Sequence, residues 1–71
     1  MNQNTLIRMA NQIAHNMAAY PADVAAAKVA NHLGRYWDPR MLNDLHAYAK
    51  SDSSKLEPIV LNALALNSIK H

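Results

Sequence analysis

The chain has 71 residues, a formal net charge of +2 and no cysteine, which excludes disulfides and thiolate metal sites. A single glycine, no phenylalanine and many alanines favour helices over sheets. No apolar run reaches the roughly 20 residues of a membrane span, and residues 1–4 lack the pattern of a signal peptide. We therefore expect one cytoplasmic, all-α domain over residues 1–71, with flexible ends near 1–4 and 68–71.

The first predicted helix runs from about Thr5 to Ala19, with Asn4 as its N-cap and Pro21 as the break behind it. At about 100° per residue, one face of this helix is apolar and the opposite arc is polar. The apolar face holds Leu6, Met9, Ala10, Ile13, Met17 and Tyr20, and the polar arc holds Arg8, Asn11, Gln12 and His15.

A second helix is predicted over about Val24 to Tyr36, with Asp23 as its N-cap. Its apolar side is formed by Ala26, Val29, Ala30, Leu33 and Tyr36. Asp38-Pro39 is a strong start signal for a third helix, because aspartate caps well and proline suits the first helical position. This helix extends to about Ala49 with Met41, Leu42, Leu45 and Tyr48 inward, and a polar loop follows at residues 51–54.

The fourth helix, from about Pro58 to Asn67, has apolar residues on nearly every side. A helix of that kind is buried on more than one side. Two interpretations stay open: the helix lies at the centre of the small core, or part of it contacts another chain. Together the four segments predict a small compact bundle of about four short helices.

No pattern in the chain predicts catalysis, a cofactor or a metal. The four histidines (His15, His32, His46 and His71) include no pair at the i, i+4 spacing of a helical metal site. The serines near Asp52 have the composition of a turn, and Gly34 alone makes no phosphate-binding loop. Three of the five acids stand at predicted helix starts, where capping and the helix dipole explain them.

Residues 31–41 are the segment richest in residue types that commonly bind partners, and they include the only tryptophan of the chain. Tryptophan, tyrosine and arginine are enriched at binding hot spots. Tyr36 and Trp37 also suit the core of a small domain without phenylalanine, and for Trp37 we favour that interpretation. Arg35 and Arg40 favour a surface role, because nothing local requires arginine rather than lysine.

Three segments resemble one known family, and together they cover most of the chain. They are LIRMANQIA at 6–14, VANHLGRYWDPRM at 29–41 and LEPIVLNAL at 56–64. The chain resembles the delta subunit of soluble NAD-dependent formate dehydrogenase. The combination of R-M-A-N-Q-I with a later R-Y-W-D-P-R-M is more specific than either block alone.

The resemblance implies an accessory subunit without cofactors that aids assembly or stability of a complex. In such enzymes one partner subunit carries a molybdenum or tungsten pterin and iron–sulfur clusters, and another carries flavin and reduces NAD. Catalytic and electron-transfer subunits are therefore the expected partners. The apolar residues around the fourth helix separately suggest a possible homodimer of the isolated chain. We expect the partner-binding residues to be Arg8, Asn11, Gln12, Asn31, His32, Arg35, Tyr36, Trp37, Arg40 and Met41.

Two other functions fit parts of the sequence. A chaperone that inserts the metal cofactor and then leaves would show the same residues. A small helix-turn-helix nucleic-acid-binding protein is suggested by the turn at 36–40 and by a sequence pI near 9.2. Against nucleic acid, the basic residues do not gather on one recognition helix, so we expect no nucleic-acid partner and no membrane association.

Overall fold

Within residues 2–69, which the computed structural model describes, four α-helices follow one another without a β-strand. They are α1 (Gln3–Asn16), α2 (Ala22–Tyr36), α3 (Pro39–Ser51) and α4 (Pro58–Ile69), with a short 3₁₀ helix at Ser53–Lys55. Residues 1, 70 and 71 and the side chains of residues 68 and 69 are not described, so the prediction for His71 lies outside the described residues. Of the ends predicted to be flexible, residues 3–4 begin α1 and the backbone of residues 68–69 ends α4. The predicted all-α class and the four-helix count are confirmed.

Every helix supplies an apolar side chain to one central core. The largest fully buried side chains are Leu6 of α1, Val29 and Leu33 of α2, Leu45 of α3 and Val60 of α4. The most extensive contact between two helices is that of α2 with α4, and α1 contacts all three other helices. None of the helices in the described part of the chain is long and apolar enough to cross a membrane.

The N-cap of α1 is a different residue from the predicted one. Asn2, not Asn4, is the N-cap, and its Oδ1 accepts the Thr5 N–H at 2.8 Å. Asn2 has the extended backbone that a cap requires, whereas Asn4 is already inside the helix. The helix also ends earlier, at Asn16, so Tyr20 lies beyond it and is exposed rather than on its apolar face.

The start and end of α2 also correct the prediction. Pro21 occupies the cap position, and Asp23 lies in the first turn, where its carboxylate accepts only the adjacent Val24 N–H. At the other end, Tyr36 is 69% exposed and Trp37 is only 7% exposed. The backbone becomes extended at Trp37, so Trp37, not Tyr36, enters the core. The interpretation of Trp37 as a core aromatic is confirmed.

The predicted start of α3 is confirmed in detail. Pro39 is the first helical residue, and the Asp38 carboxylate accepts the Met41 N–H at 2.9 Å. Leu45 is fully buried at the centre of this helix, while its other predicted inward residues are half-buried. The helix ends at Ser51, two residues beyond the prediction.

Replacing Asp38 with alanine is expected to lower the free energy of unfolding by about 1 kcal/mol, the usual cost of losing an N-cap. Asp23→Ala is the matched control, because it removes a carboxylate that lies near a helix start without capping it. Its loss is expected to be smaller. Urea unfolding of both variants measures the difference, and equal losses would show that the Asp38 cap does not stabilise α3.

Helix α4 is not buried all round. Its inner face is formed by Val60, Ala63 and Leu64, which are buried. The opposite face is exposed and carries Asn62, Ala65 and Leu66, the last of these 40% exposed. Helix α4 therefore supplies one side of the core and leaves a small apolar area in contact with solvent, and its contact with another chain stays a prediction.

Candidate partner interface

A groove between α1 and the end of α2 brings together residues from the two main sequence blocks. It has a volume of about 430 Å³ and is lined by Arg8, Met9, Gln12, Ile13, His32 and Trp37. Four of the predicted partner-binding residues (Arg8, Gln12, His32 and Trp37) meet in this α1–α2 groove although more than 20 sequence positions separate Gln12 from Trp37. The fold therefore joins the blocks into one surface.

The local structure explains how this groove is built. Arg8 and Gln12 are one helical turn apart on the exposed arc of α1, and Met9 and Ile13 lie beside them with partly buried side chains. Trp37 follows the last residue of α2 and packs into the core below them. The groove thus has an apolar base and a polar rim.

A second concavity adjoins the first at His32 and contains the exposed Tyr36. We call it the Tyr36 depression; its lining residues are Met17, Tyr20, Lys28, Asn31, His32, Arg35 and Tyr36. The His32 and Tyr36 ring centroids are 4.8 Å apart and the rings are tilted by 47°. The Lys28 Nζ lies 4.7 Å from the centre of the Tyr20 ring, and the Arg35 guanidinium carbon lies 5.9 Å from the centre of the Tyr36 ring.

Three predicted partner-binding residues lie apart from these concavities: Asn11, Arg40 and Met41. Arg40 is exposed in the first turn of α3, and Met41 beside it is half-buried against the core. Neither side chain lines the α1–α2 groove or the Tyr36 depression. Seven of the ten predicted residues therefore line one surface formed by α1, α2 and Trp37, and Arg40 is a separate exposed cation at the start of α3.

Asn11 has a structural role that sequence reasoning missed. Its Nδ2 donates to the Lys55 carbonyl at 2.9 Å, and its Oδ1 accepts the Glu57 N–H at 2.9 Å. These two backbone groups flank Leu56, whose side chain is buried in the core. Asn11 therefore fixes the segment that leads into α4, and both ends of its amide are already occupied within the chain.

The serine-rich loop has the geometry of a turn. The Ser54 side chain donates to the Asp52 carboxylate, as does the Ser54 N–H. These hydrogen bonds, with the charge of Lys55 as a smaller cause, lower the pKa of Asp52 below its ordinary value. The Ser51 hydroxyl donates to the Tyr48 carbonyl at 3.1 Å. These contacts stabilise the connection between α3 and α4.

The described residues contain no group of three or more histidine, aspartate or glutamate side chains placed to hold a metal ion. The concavities of the α1–α2 surface instead present arginine, lysine, histidine, glutamine and asparagine around apolar side chains. Such a mixture suits protein recognition, in which arginine and aromatic residues dominate binding.

Comparison with known families identifies a family that covers most of the chain. The family model described as NADH-dependent formate dehydrogenase delta subunit FdsD matches residues 5–64, a range that includes α1 from its third residue, all of α2 and α3, and about half of α4. Searches of curated proteins and of solved structures gave no match. The matched range contains every residue of the α1–α2 groove and of the Tyr36 depression.

Proposed function

The chain belongs to the NADH-dependent formate dehydrogenase delta-subunit family, and on this basis we propose that it is a non-catalytic accessory subunit. It binds the catalytic and electron-transfer subunits by protein–protein contacts and aids assembly or stability of the complex. A cytoplasmic location is part of the proposal, because the chain resembles the delta subunit of the soluble type of formate dehydrogenase. The observation that carries the proposal is the meeting of the two sequence blocks in the α1–α2 groove.

The exposed arginine and tyrosine side chains of this surface support a role in binding. Arg8, Arg35 and Tyr36 are exposed, and Arg35 is held against the Tyr36 ring. Arginine and tyrosine lose little conformational freedom when they are already held in place, which favours their use at an interface.

We propose that the chain itself holds no metal, flavin or pterin. Elemental analysis and an absorption spectrum of the purified chain would check that expectation, and one tightly held metal per chain would overturn it.

The test is copurification of a tagged chain with active formate dehydrogenase. Arg35→Ala and Arg40→Ala are expected to weaken this association while leaving helicity intact, because both residues are exposed. Lys50→Ala is the matched control: it removes an exposed cation at the far end of α3 from Arg40, at a position outside the predicted partner-binding residues. Normal copurification of both arginine variants would contradict their role, and failure of the unmodified chain to copurify would contradict the proposed function.

The same experiment separates a subunit from a cofactor-insertion chaperone. A subunit stays with the enzyme after the molybdenum or tungsten cofactor is in place, whereas a chaperone is found only on enzyme that lacks it. For helix-turn-helix binding of nucleic acid the structure offers little support. The helix after the turn, α3, carries Arg40 and Lys50 at opposite ends with Asp44 between them, so it has no basic face for a groove of DNA.

A further inference from the structure

The base of the α1–α2 groove is apolar although it opens to solvent. Met9 and Ile13 are half-buried there and pack against the core beside Trp37. A methionine side chain adapts its shape to a neighbour, and sulfur and aromatic groups contact each other favourably. An apolar side chain from another protein would complete this packing.

The rim and the adjoining depression are cationic. Arg8 lines the groove, and Lys28 and Arg35 line the Tyr36 depression. Among the described residues that line these two concavities, none is an aspartate or glutamate. The neighbouring acids, Glu57 and Asp23, line adjoining depressions that share Arg8 and Lys28 with these two concavities. The acids themselves stay outside the concavities, so an anion that enters there meets Arg8, Lys28 and Arg35 without a facing carboxylate.

The cationic groups are available to a partner. Arg8 is exposed and makes no hydrogen bond or ion pair with another residue in the described part of the chain. Lys28 and Arg35 are positioned by aromatic rings, not by carboxylates. An arginine in this state can form two parallel hydrogen bonds with one incoming carboxylate.

We propose that the α1–α2 groove receives an apolar side chain from a segment of another subunit, and that carboxylates of the same segment bind Arg8 and the cations of the Tyr36 depression. The inference rests on the proposed function and adds the chemistry of the segment: acidic residues beside an apolar anchor. A nucleic acid would also supply negative charge. However, the half-buried Met9 and Ile13 at the base of the groove suit an apolar side chain better than a phosphate or a sugar, and we therefore favour a protein segment.

The first test measures the affinity of the chain for formate dehydrogenase purified without it. Arg8→Glu is expected to weaken binding about tenfold or more, since it replaces a charge-assisted hydrogen bond with repulsion. Lys50→Glu makes the same change of charge outside both concavities and is expected to leave affinity nearly unchanged. Both residues are exposed, so circular dichroism should show folded variants.

The second test identifies the partner segment in the native assembly. A carbodiimide joins a lysine to a carboxylate that contacts it, so Lys28 is expected to be linked to an aspartate or glutamate of another subunit, in a peptide that also contains a large apolar residue. Equal affinities of Arg8→Glu and Lys50→Glu, with Lys28 unlinked, would overturn the inference while the proposed function stands. Linkage of Lys28 to a second copy of this chain, or RNA binding that Arg8→Glu abolishes, would also overturn it.

Discussion

Replacing Asn11 with alanine is expected to lower the free energy of unfolding by about 2 kcal/mol, at about 1 kcal/mol for each hydrogen bond lost. The side chain joins α1 to the backbone on both sides of Leu56, through the Lys55 carbonyl and the Glu57 N–H. Without it, the burial of Leu56 and the hydrogen bond from its N–H to the Ser53 carbonyl remain to hold the entry into α4. For a chain of 71 residues a loss of this size is a large share of the total stability.

Gln12→Ala is the matched control for Asn11. Gln12 is exposed on the same arc of α1, and its side chain donates only to the side chain of Asn16, at 3.2 Å. Its replacement is expected to change stability by less than about 0.5 kcal/mol. Urea unfolding followed by circular dichroism compares the two variants. If Asn11→Ala unfolds at the same urea concentration as Gln12→Ala, the amide does not fix the α4 segment.

A third substitution separates the two hydrogen bonds of Asn11. Asn11→Asp keeps an oxygen that can accept the Glu57 N–H but has no N–H for the Lys55 carbonyl, and its charge faces that carbonyl oxygen. Its stability is therefore expected to be nearer to that of the alanine variant than to that of the natural chain. A stability equal to the natural chain would show that the bond to Lys55 contributes nothing.

Helix positions followed from the sequence because proline, capping residues and apolar spacing act locally. Asp38-Pro39 predicted the start of α3 correctly, since a cap and a fixed proline φ need no tertiary context. Asn4 was the wrong cap for α1 because Asn2 offers the same side chain two positions earlier. Periodicity alone could not choose between these two asparagines.

Contacts between segments that are distant in the sequence could not be predicted from the helical periodicity. Asn11 bonds to backbone groups more than 40 positions away, and nothing local marks that pairing except the poor fit of asparagine to a helix interior. Tyr36 and Trp37 were hard to separate for a related reason. Which of two adjacent aromatics enters the core depends on where the backbone stops being helical, and here it stops at Trp37.

The two faces of α4 give the other large expected effect. Leu64→Lys is expected to unfold the chain, because Leu64 is 4% exposed and an unpaired buried charge costs roughly 3–5 kcal/mol. Leu66→Lys is expected to leave the chain folded, because Leu66 is 40% exposed and a lysine there reaches solvent. Thermal unfolding of both variants measures the contrast.

Leu66→Lys also tests self-association of the isolated chain. The exposed face of α4 carries Ala65 and Leu66, and exposed apolar surface of this kind favours contact with another chain. We propose that at millimolar concentration the isolated chain pairs through this face, most simply as a two-fold dimer. Leu66→Lys should then remain a folded monomer in sedimentation equilibrium, while the natural chain shows a dimer. A natural chain that stays monomeric at millimolar concentration would contradict the pairing and leave α4 as a helix that serves the core alone.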